Sequence, residues 1–433
     1  MKKYFIFCSF ITFLHAQDVS LSELQTSASE HSHRLKLRSI DTSIEQARLE
    51  SVYSTLYPQL SLGYSGEYNR NLDSTTSGSI SVGDTTINSS VPYEHSVALR
   101  LNYELYHFGT TLKQIEMSQK EIASKKLEVC NETTKLYQEI LDHYLQAQKA
   151  QSEHTYKSRM HTLRQELYTL KQRLYTAGKE SRVSVGDEAI RLIDLERDIE
   201  RSRMSYEENL IALSKLSHVD LDLITTRLLP LDIPSEEVRL SRFEENSQAR
   251  QYQEKIAQKQ AEISLNQRTQ FPVISFYSNY YLYGSDRNKA YDALNDIRPN
   301  SWNAGVAIRW SLFEGFKYNN EAARLHLELD RLREEYALAE REFDAQSQTR
   351  QEHLNRLAML TKNETEALAE THHKIIMTQR LRAQGEADAV SEVTVKLEGL
   401  ERELTLDTEM IQHAYEAEAL KLQHRGVEEC KRQ

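Results

Sequence analysis

Through most of the chain apolar residues return every three or four positions, as in Leu163, Leu167, Leu170 and Leu174. That is the spacing of one helical face. Four short segments follow a two-residue period instead, the signature of strands. They fall at about residues 59–69, 96–106, 273–283 and 301–311. In the first, Leu60, Leu62, Tyr64 and Tyr68 alternate with Ser61, Gly63, Ser65 and Glu67. In the second, Val97, Leu99, Leu101 and Tyr103 alternate with Ala98, Arg100, Asn102 and Glu104. The fourth sets Trp302, Val306, Ile308 and Trp310 against Asn303, Gly305 and Arg309. The third carries apolar residues on one face (Ile274, Phe276, Tyr280, Leu282) and tyrosines (Tyr277, Tyr281, Tyr283) on the other.

Breakers place the remaining elements. A helix is expected from about Ser20 to Thr55, ended by Pro58, because the residue before proline is pushed out of helical geometry. Beyond Gly109 no Pro or Gly occurs until Gly178. A helix over that stretch would run about 100 Å at 1.5 Å per residue. A further helix follows from Val185 to Leu216, then Pro230 and Pro234 mark an irregular junction. The pattern then repeats: a helix to Gln270, two strands, a helix from Lys317 to Gln384, a turn at Gly385 and a helix to His424. Local matches support the duplication. Tyr57-Pro58 returns as Phe271-Pro272, Tyr103-Glu104-Leu105-Tyr106 as Trp310-Ser311-Leu312-Phe313, Leu195-Glu196-Arg197 as Leu400-Glu401-Arg402, and Ser205-Tyr206-Glu207 as Ala414-Tyr415-Glu416. The offsets are 214, 207, 205 and 209 residues. The expected organisation is therefore a leader over 1–16, one repeat over 17–229 and a second over 230–433.

Composition narrows the setting. Only 13 Gly and 6 Pro occur in 433 residues, well under average usage, as very long helices require. The net charge of −11 lacks the footprint of a nucleic-acid binder. Met1-Lys2-Lys3, an apolar run to Leu14 and then Ala16 have the layout of a secretory signal peptide, with cleavage expected near Ala16. No run is long enough for a spanning helix, which needs about 20 apolar residues.

The strands discriminate between settings. Each has the roughly 9–11 residues that a tilted strand needs to cross a bilayer. A soluble sheet with one wet face gives the same alternation, but three features favour a membrane barrel. The leader exports the chain, both inter-strand loops (Arg70–His95 and Gly284–Asn300) are long and polar, and no apolar helix layer is available to cover the sheet. Four strands cannot close alone, and an open edge in lipid leaves backbone groups unsatisfied. Two chains would supply eight strands and three would supply twelve.

With these residues the sequence resembles the TolC family of outer-membrane efflux and secretion channels. The likeness rests on Tyr57-Pro58 and Phe271-Pro272, on the strand exits Leu105-Tyr106-His107-Phe108-Gly109 and Leu312-Phe313-Glu314-Gly315, and on the turns Tyr175-Thr176-Ala177-Gly178 and Gln384-Gly385. It implies a mainly α fold with a membrane β-barrel part: a homotrimer with a 12-stranded barrel in the outer membrane and long antiparallel helical hairpins forming a periplasmic tunnel. It also implies a periplasmic adaptor and an inner-membrane pump as partners. The expected function is a passive exit duct for small molecules or polypeptides, with Thr176, Ala177, Gly178, Gln384 and Gly385 at the partner-docking gate. Where family members often carry an aspartate past the turn glycine, this chain has Ser184-Val185 and Ser391-Glu392-Val393. Glu386, Asp388 and Glu392 stand as substitutes for an acidic entrance. The alternatives are a periplasmic adaptor, which predicts one hairpin, and a coiled-coil envelope protein, which predicts no paired strands.

No enzyme motif, cofactor-binding turn or metal-ligand spacing is present. His372-His373 and the pair His31, His33 read as surface residues on solvated helices. Removing the leader leaves Cys130 and Cys430. They lie 48 and 45 residues from Gly178 and Gly385, a difference of about 5 Å in helical height. In an oxidising compartment a Cys130–Cys430 bridge is expected.

Overall fold

The structure is a computed structural model and describes residues 17–68, 81–82, 85–86, 92–222, 226–231, 240 and 242–424. The expected leader, most of the first inter-strand loop and Cys430 lie outside the described residues. The chain folds into two compact units, both discontinuous in sequence.

One unit gathers the residues up to Ile40, Lys126–Gln251 and those from Tyr336 onward. A short strand, β1 (Gln17–Val19), leads into α1 (Leu21–His31). Ser20 starts that helix with a capping box: its hydroxyl accepts from the Glu23 amide while the Glu23 carboxylate accepts from the Ser20 amide, satisfying two otherwise orphaned donors. The single helix expected from Ser20 to Thr55 is in fact two. Ser32 takes an extended conformation and α2 (His33–Ser54) begins beyond it. Serine competes for backbone hydrogen bonds and weakens a helix without the Pro or Gly that pattern reading looks for.

The main helices of this unit are α4 (Arg182–Ser217), α8 (Ala389–Gln423) and the greater part of α3 (Thr110–Thr176) and α7 (Lys317–Ala383), whose first turns belong to the other unit. Strand β1 pairs in parallel with β6 (Thr226–Leu228). Beneath this pair Val19, Leu24, Leu136, Ile140, Tyr144, Leu210 and Leu213 form a closed core. Tyr144, fully buried there, donates its hydroxyl to the Leu229 carbonyl at 2.6 Å. Burial pushes its phenol well above the ordinary range.

The other unit comprises Asp41–Lys125 and Tyr252–Glu335. It holds β2 (Gln59–Tyr68), a two-residue ladder of β3 (Ser81–Val82) and β4 (Thr85–Thr86), β5 (Tyr93–Tyr106), α5 (Ser247–Arg268, mostly here), β7 (Val273–Asp286), α6 (Ala290–Asn295) and β8 (Arg298–Arg309). Four strands make one antiparallel sheet in the order β2-β5-β7-β8. Its register separates the two faces. Leu62, Leu99, Tyr280 and Trp302 stand side by side across the strands, and the adjacent row is Ser61, Arg100, Asn279 and Asn303. Below the sheet Ile263 of α5 packs against Leu325 and Leu329 of α7. Among the described residues the sheet is open: β2 and β8 each have one unpaired edge.

Candidate functional site: the hairpin turns and the open sheet

The two hairpin turns are built alike. Helix α3 ends at Thr176, Gly178 takes φ +71°, and the Lys179 amide donates to the Leu174 carbonyl at 2.8 Å. Helix α7 ends at Ala383, Gly385 takes φ +80°, and the Glu386 amide donates to the Leu381 carbonyl at 2.9 Å. A left-handed residue with this backward bond is the Schellman stop, which glycine enters without a Cβ penalty. Three residues past each glycine a cap begins the returning helix: Ser181 accepts from the Ser184 amide and Asp388 from the Ser391 amide. Thr176, Ala177, Gly178, Gln384 and Gly385 are all exposed.

Of the three carboxylates expected at an acidic entrance, two have local work. Asp388 caps α8 at 2.7 Å from the Ser391 amide, and these hydrogen bonds hold its carboxyl below the usual range. Glu392 is buried, bonded to Arg382 and, at 2.6 Å, to Lys396. The Arg382 bond, then that of Lys396, lowers its carboxyl below the ordinary 4.5. Glu386 is exposed at the turn and has no side-chain partner among the described residues.

The first hairpin carries a charge cluster that pattern reading missed. Glu188 on α4 is fully buried, with Arg164 at 3.0 Å and Lys171 at 3.1 Å on α3. Arg164 also lies 3.7 Å from Glu401 of α8, so it faces both hairpins. The apolar stripe lies beside it: Met160 and Leu167 of α3 cluster with Val393, Leu397 and Leu400 of α8. Removing one partner of a buried pair is expensive, about 3–5 kcal/mol, so this cluster fixes how the helices meet near the turns.

Cys130 is disulfide-bonded. Its neighbour Asn131 accepts from Ser247 at 2.6 Å, and Asn246 donates to the carbonyl of Gln423, the last residue of α8, at 2.8 Å. The end of α8 therefore lies beside α3 at Cys130. His31 sits 3.0 Å from the Ser27 carbonyl, and His33 packs edge-on against His218. Among the described residues no three His, Cys, Asp or Glu side chains converge as a metal site. No described helix is long and apolar enough to cross a membrane.

On the apolar face of the sheet the large side chains are bare: Leu62 is 73%, Trp302 68% and Ile308 70% exposed. Residues 25–217 match the family described as outer membrane efflux protein. A search of curated proteins finds no match. Among solved structures the chain is similar to CusC, at 15% identity and a TM-score of 0.78, over 94% of this chain and 92% of that one. It is similar to the Campylobacter jejuni CmeC outer membrane channel, at 13% identity and a TM-score of 0.77, covering 95% and 88%. It is also similar to the open state of the Neisseria gonorrhoeae MtrE outer membrane channel, at 15% identity and 0.71, covering 96% and 94%. At these identities the structures speak for the fold alone, which the described chain, second half included, shares with these outer membrane channels. The efflux-protein match sets aside the adaptor alternative, and the four paired strands set aside a simple coiled-coil spacer.

Proposed function

We propose that this protein is the outer-membrane exit duct of a tripartite efflux or secretion assembly, acting as a homotrimer without catalysis. The observation that carries the proposal is the sheet: one face bare and apolar, the other polar, and an unpaired strand at each edge. In lipid each unpaired backbone group costs several kcal/mol, so a spanning sheet must close. Edge β8 of one copy pairs with edge β2 of the next. Three copies give a 12-stranded barrel, wide enough for a water-filled lumen lined by rows such as Ser61, Arg100, Asn279 and Asn303.

Duplication accounts for the helices. Both α3 and α7 have 67 residues and begin 207 residues apart, the same interval as Gly178 and Gly385. On this reading 1–16 is an export leader, 17–229 and 230–433 are the repeats, and the turns at Thr176–Gly178 and Gln384–Gly385 form the periplasmic mouth where an adaptor docks. Opening is then a shift between two packings, set by whatever a partner binds more tightly. Glu386, at the exposed turn, is the carboxylate best placed to face a passing solute. Detergent-extracted protein is expected to be trimeric and to give stable single-channel conductance in planar bilayers. A monomer soluble without detergent, with no conductance, would overturn the proposal.

A further inference from the structure

The connection between β7 and β8, read from sequence as a plain polar loop, contains α6 (Ala290–Asn295). This helix rests on the outward face of the sheet. Gly66, His95 and Gly284 stand in one row across β2, β5 and β7. They lie two residues beyond the row of Tyr64, Val97 and Leu282, and therefore on the same apolar face. A Cβ added at Gly284 would collide with the Ala293 carbonyl and with the backbone of Asp296 and Ile297. The backbone of α6 and its exit thus press directly on that glycine, and Ala293 is fully buried. Between the glycines the His95 ring lies over Gly66. Its Nε2 is 3.1 Å from the Ala290 carbonyl and its Nδ1 is 2.8 Å from the Tyr64 hydroxyl. Two absent side chains and one bridging ring form the seat of the helix.

The rest of α6 faces away from the sheet. Tyr291 is 70% and Leu294 42% exposed, and Arg287 and Lys289, just before the helix, are exposed. The height of the seat identifies what they meet. Outward positions on β7, apolar except for Ser278, run from Ile274 to Leu282, a span of nine residues, within the roughly 9–11 that a tilted strand needs to cross the bilayer. A barrel's apolar band is about 25 Å tall and is flanked by aromatic girdles. Gly284 is the next outward position, so α6 lies at the border between hydrocarbon and headgroups.

We propose that α6 anchors the protein in the outer leaflet: Tyr291 and Leu294 enter the edge of the hydrocarbon, and Arg287 and Lys289 contact headgroup phosphates. The occupant is a lipid surface because the patch continues the lipid-facing side of the sheet without a break. This inference rests on the barrel reading.

The test uses the full trimer with a single reporter, Tyr291→Trp in a chain whose two tryptophans are replaced (Trp302→Phe, Trp310→Phe), in vesicles of phosphatidylcholine with or without phosphatidylglycerol. Brominated lipid is expected to quench the reporter at least threefold more than aqueous iodide. Gly284→Val, which unseats α6, should reverse that ratio while leaving conductance intact. Arg287→Ser with Lys289→Ser should abolish the effect of phosphatidylglycerol on quenching. A conducting trimer whose reporter is quenched by iodide alone overturns the anchor, leaves the duct standing and points to an exposed landing face for a protein. Equal quenching with and without phosphatidylglycerol in the parent chain overturns the pairing of Arg287 and Lys289 with anionic headgroups, since phosphatidylcholine carries a phosphate of its own. Loss of all conductance in the parent chain overturns the duct itself.

Discussion

Glu392 shows how one side chain near a turn ties proton activity to the fold. Its carboxyl sits below its ordinary 4.5 because Arg382 and Lys396 bond the charged form. A group with a lower folded than unfolded pKa stabilises the native state above the unfolded value, and that stabilisation fades as pH falls through the folded value. Glu392→Gln should therefore lower the melting temperature at neutral pH. The gap from wild type should close as pH drops below the ordinary 4.5; a gap independent of pH, followed by circular dichroism, would contradict the assignment. Part of this network was legible in the sequence. Lys396 lies four residues beyond Glu392, the spacing of neighbours on one helix face. The pairing of Glu188 with Arg164 and Lys171 was not, because those partners lie 24 and 17 residues away across a turn and only the folded hairpin brings them together.

At the level of elements, period and breakers carried far. Strands β2, β5, β7 and β8 overlap the four alternating segments but reach three residues past the expected bounds at Tyr93, Asp286 and Arg298, and the ends of α3 and α7 fall within one residue of the positions set by their flanking glycines. The break at Ser32 and the helix α6 escaped notice because neither has a Pro, a Gly or an apolar period to announce it. The turns themselves are open to test. At φ +71° and +80° a β-branched residue carries a steric penalty of about 1–2 kcal/mol, although nothing crowds either site. Gly178→Val and Gly385→Val should keep trimer assembly and conductance but weaken docking of the adaptor, measured as export or as pull-down of the complex. Unchanged export in both variants would count against a gate at these turns. We also expect that Cys130 is bonded to Cys430: Cys430 is six steps along the chain from His424, enough to span about 20 Å, and α8 already ends beside α3 at Cys130. Alkylation before and after reduction, read by mass, should reveal two thiols only in the reduced chain. Two alkylated thiols before reduction would refute the bridge.

For the whole molecule, the decisive distinction lies between adjacent residues on β2. Leu62 belongs to the apolar row, outward in the proposed barrel, and Ser61 to the polar one. An arginine on the lipid face near the midplane costs about 2–4 kcal/mol, whereas one in the lumen tunes selectivity. Leu62→Arg should impair assembly, judged by the yield of detergent-stable trimer. Ser61→Arg should assemble and shift ion selectivity in bilayers toward anions. Equal yields would speak for a sheet wet on both sides.

The two unpaired edges also have a genetic consequence. In the proposed trimer a head-to-tail ring closes only if every junction forms, so one copy with a spoiled β2 or β8 would breach the wall for its two sound neighbours. With equal synthesis of sound and spoiled chains, and random mixing in threes, only about one ring in eight would be intact. An allele that disrupts either rim strand would thus be dominant, poisoning export even in a cell that still carries a good copy.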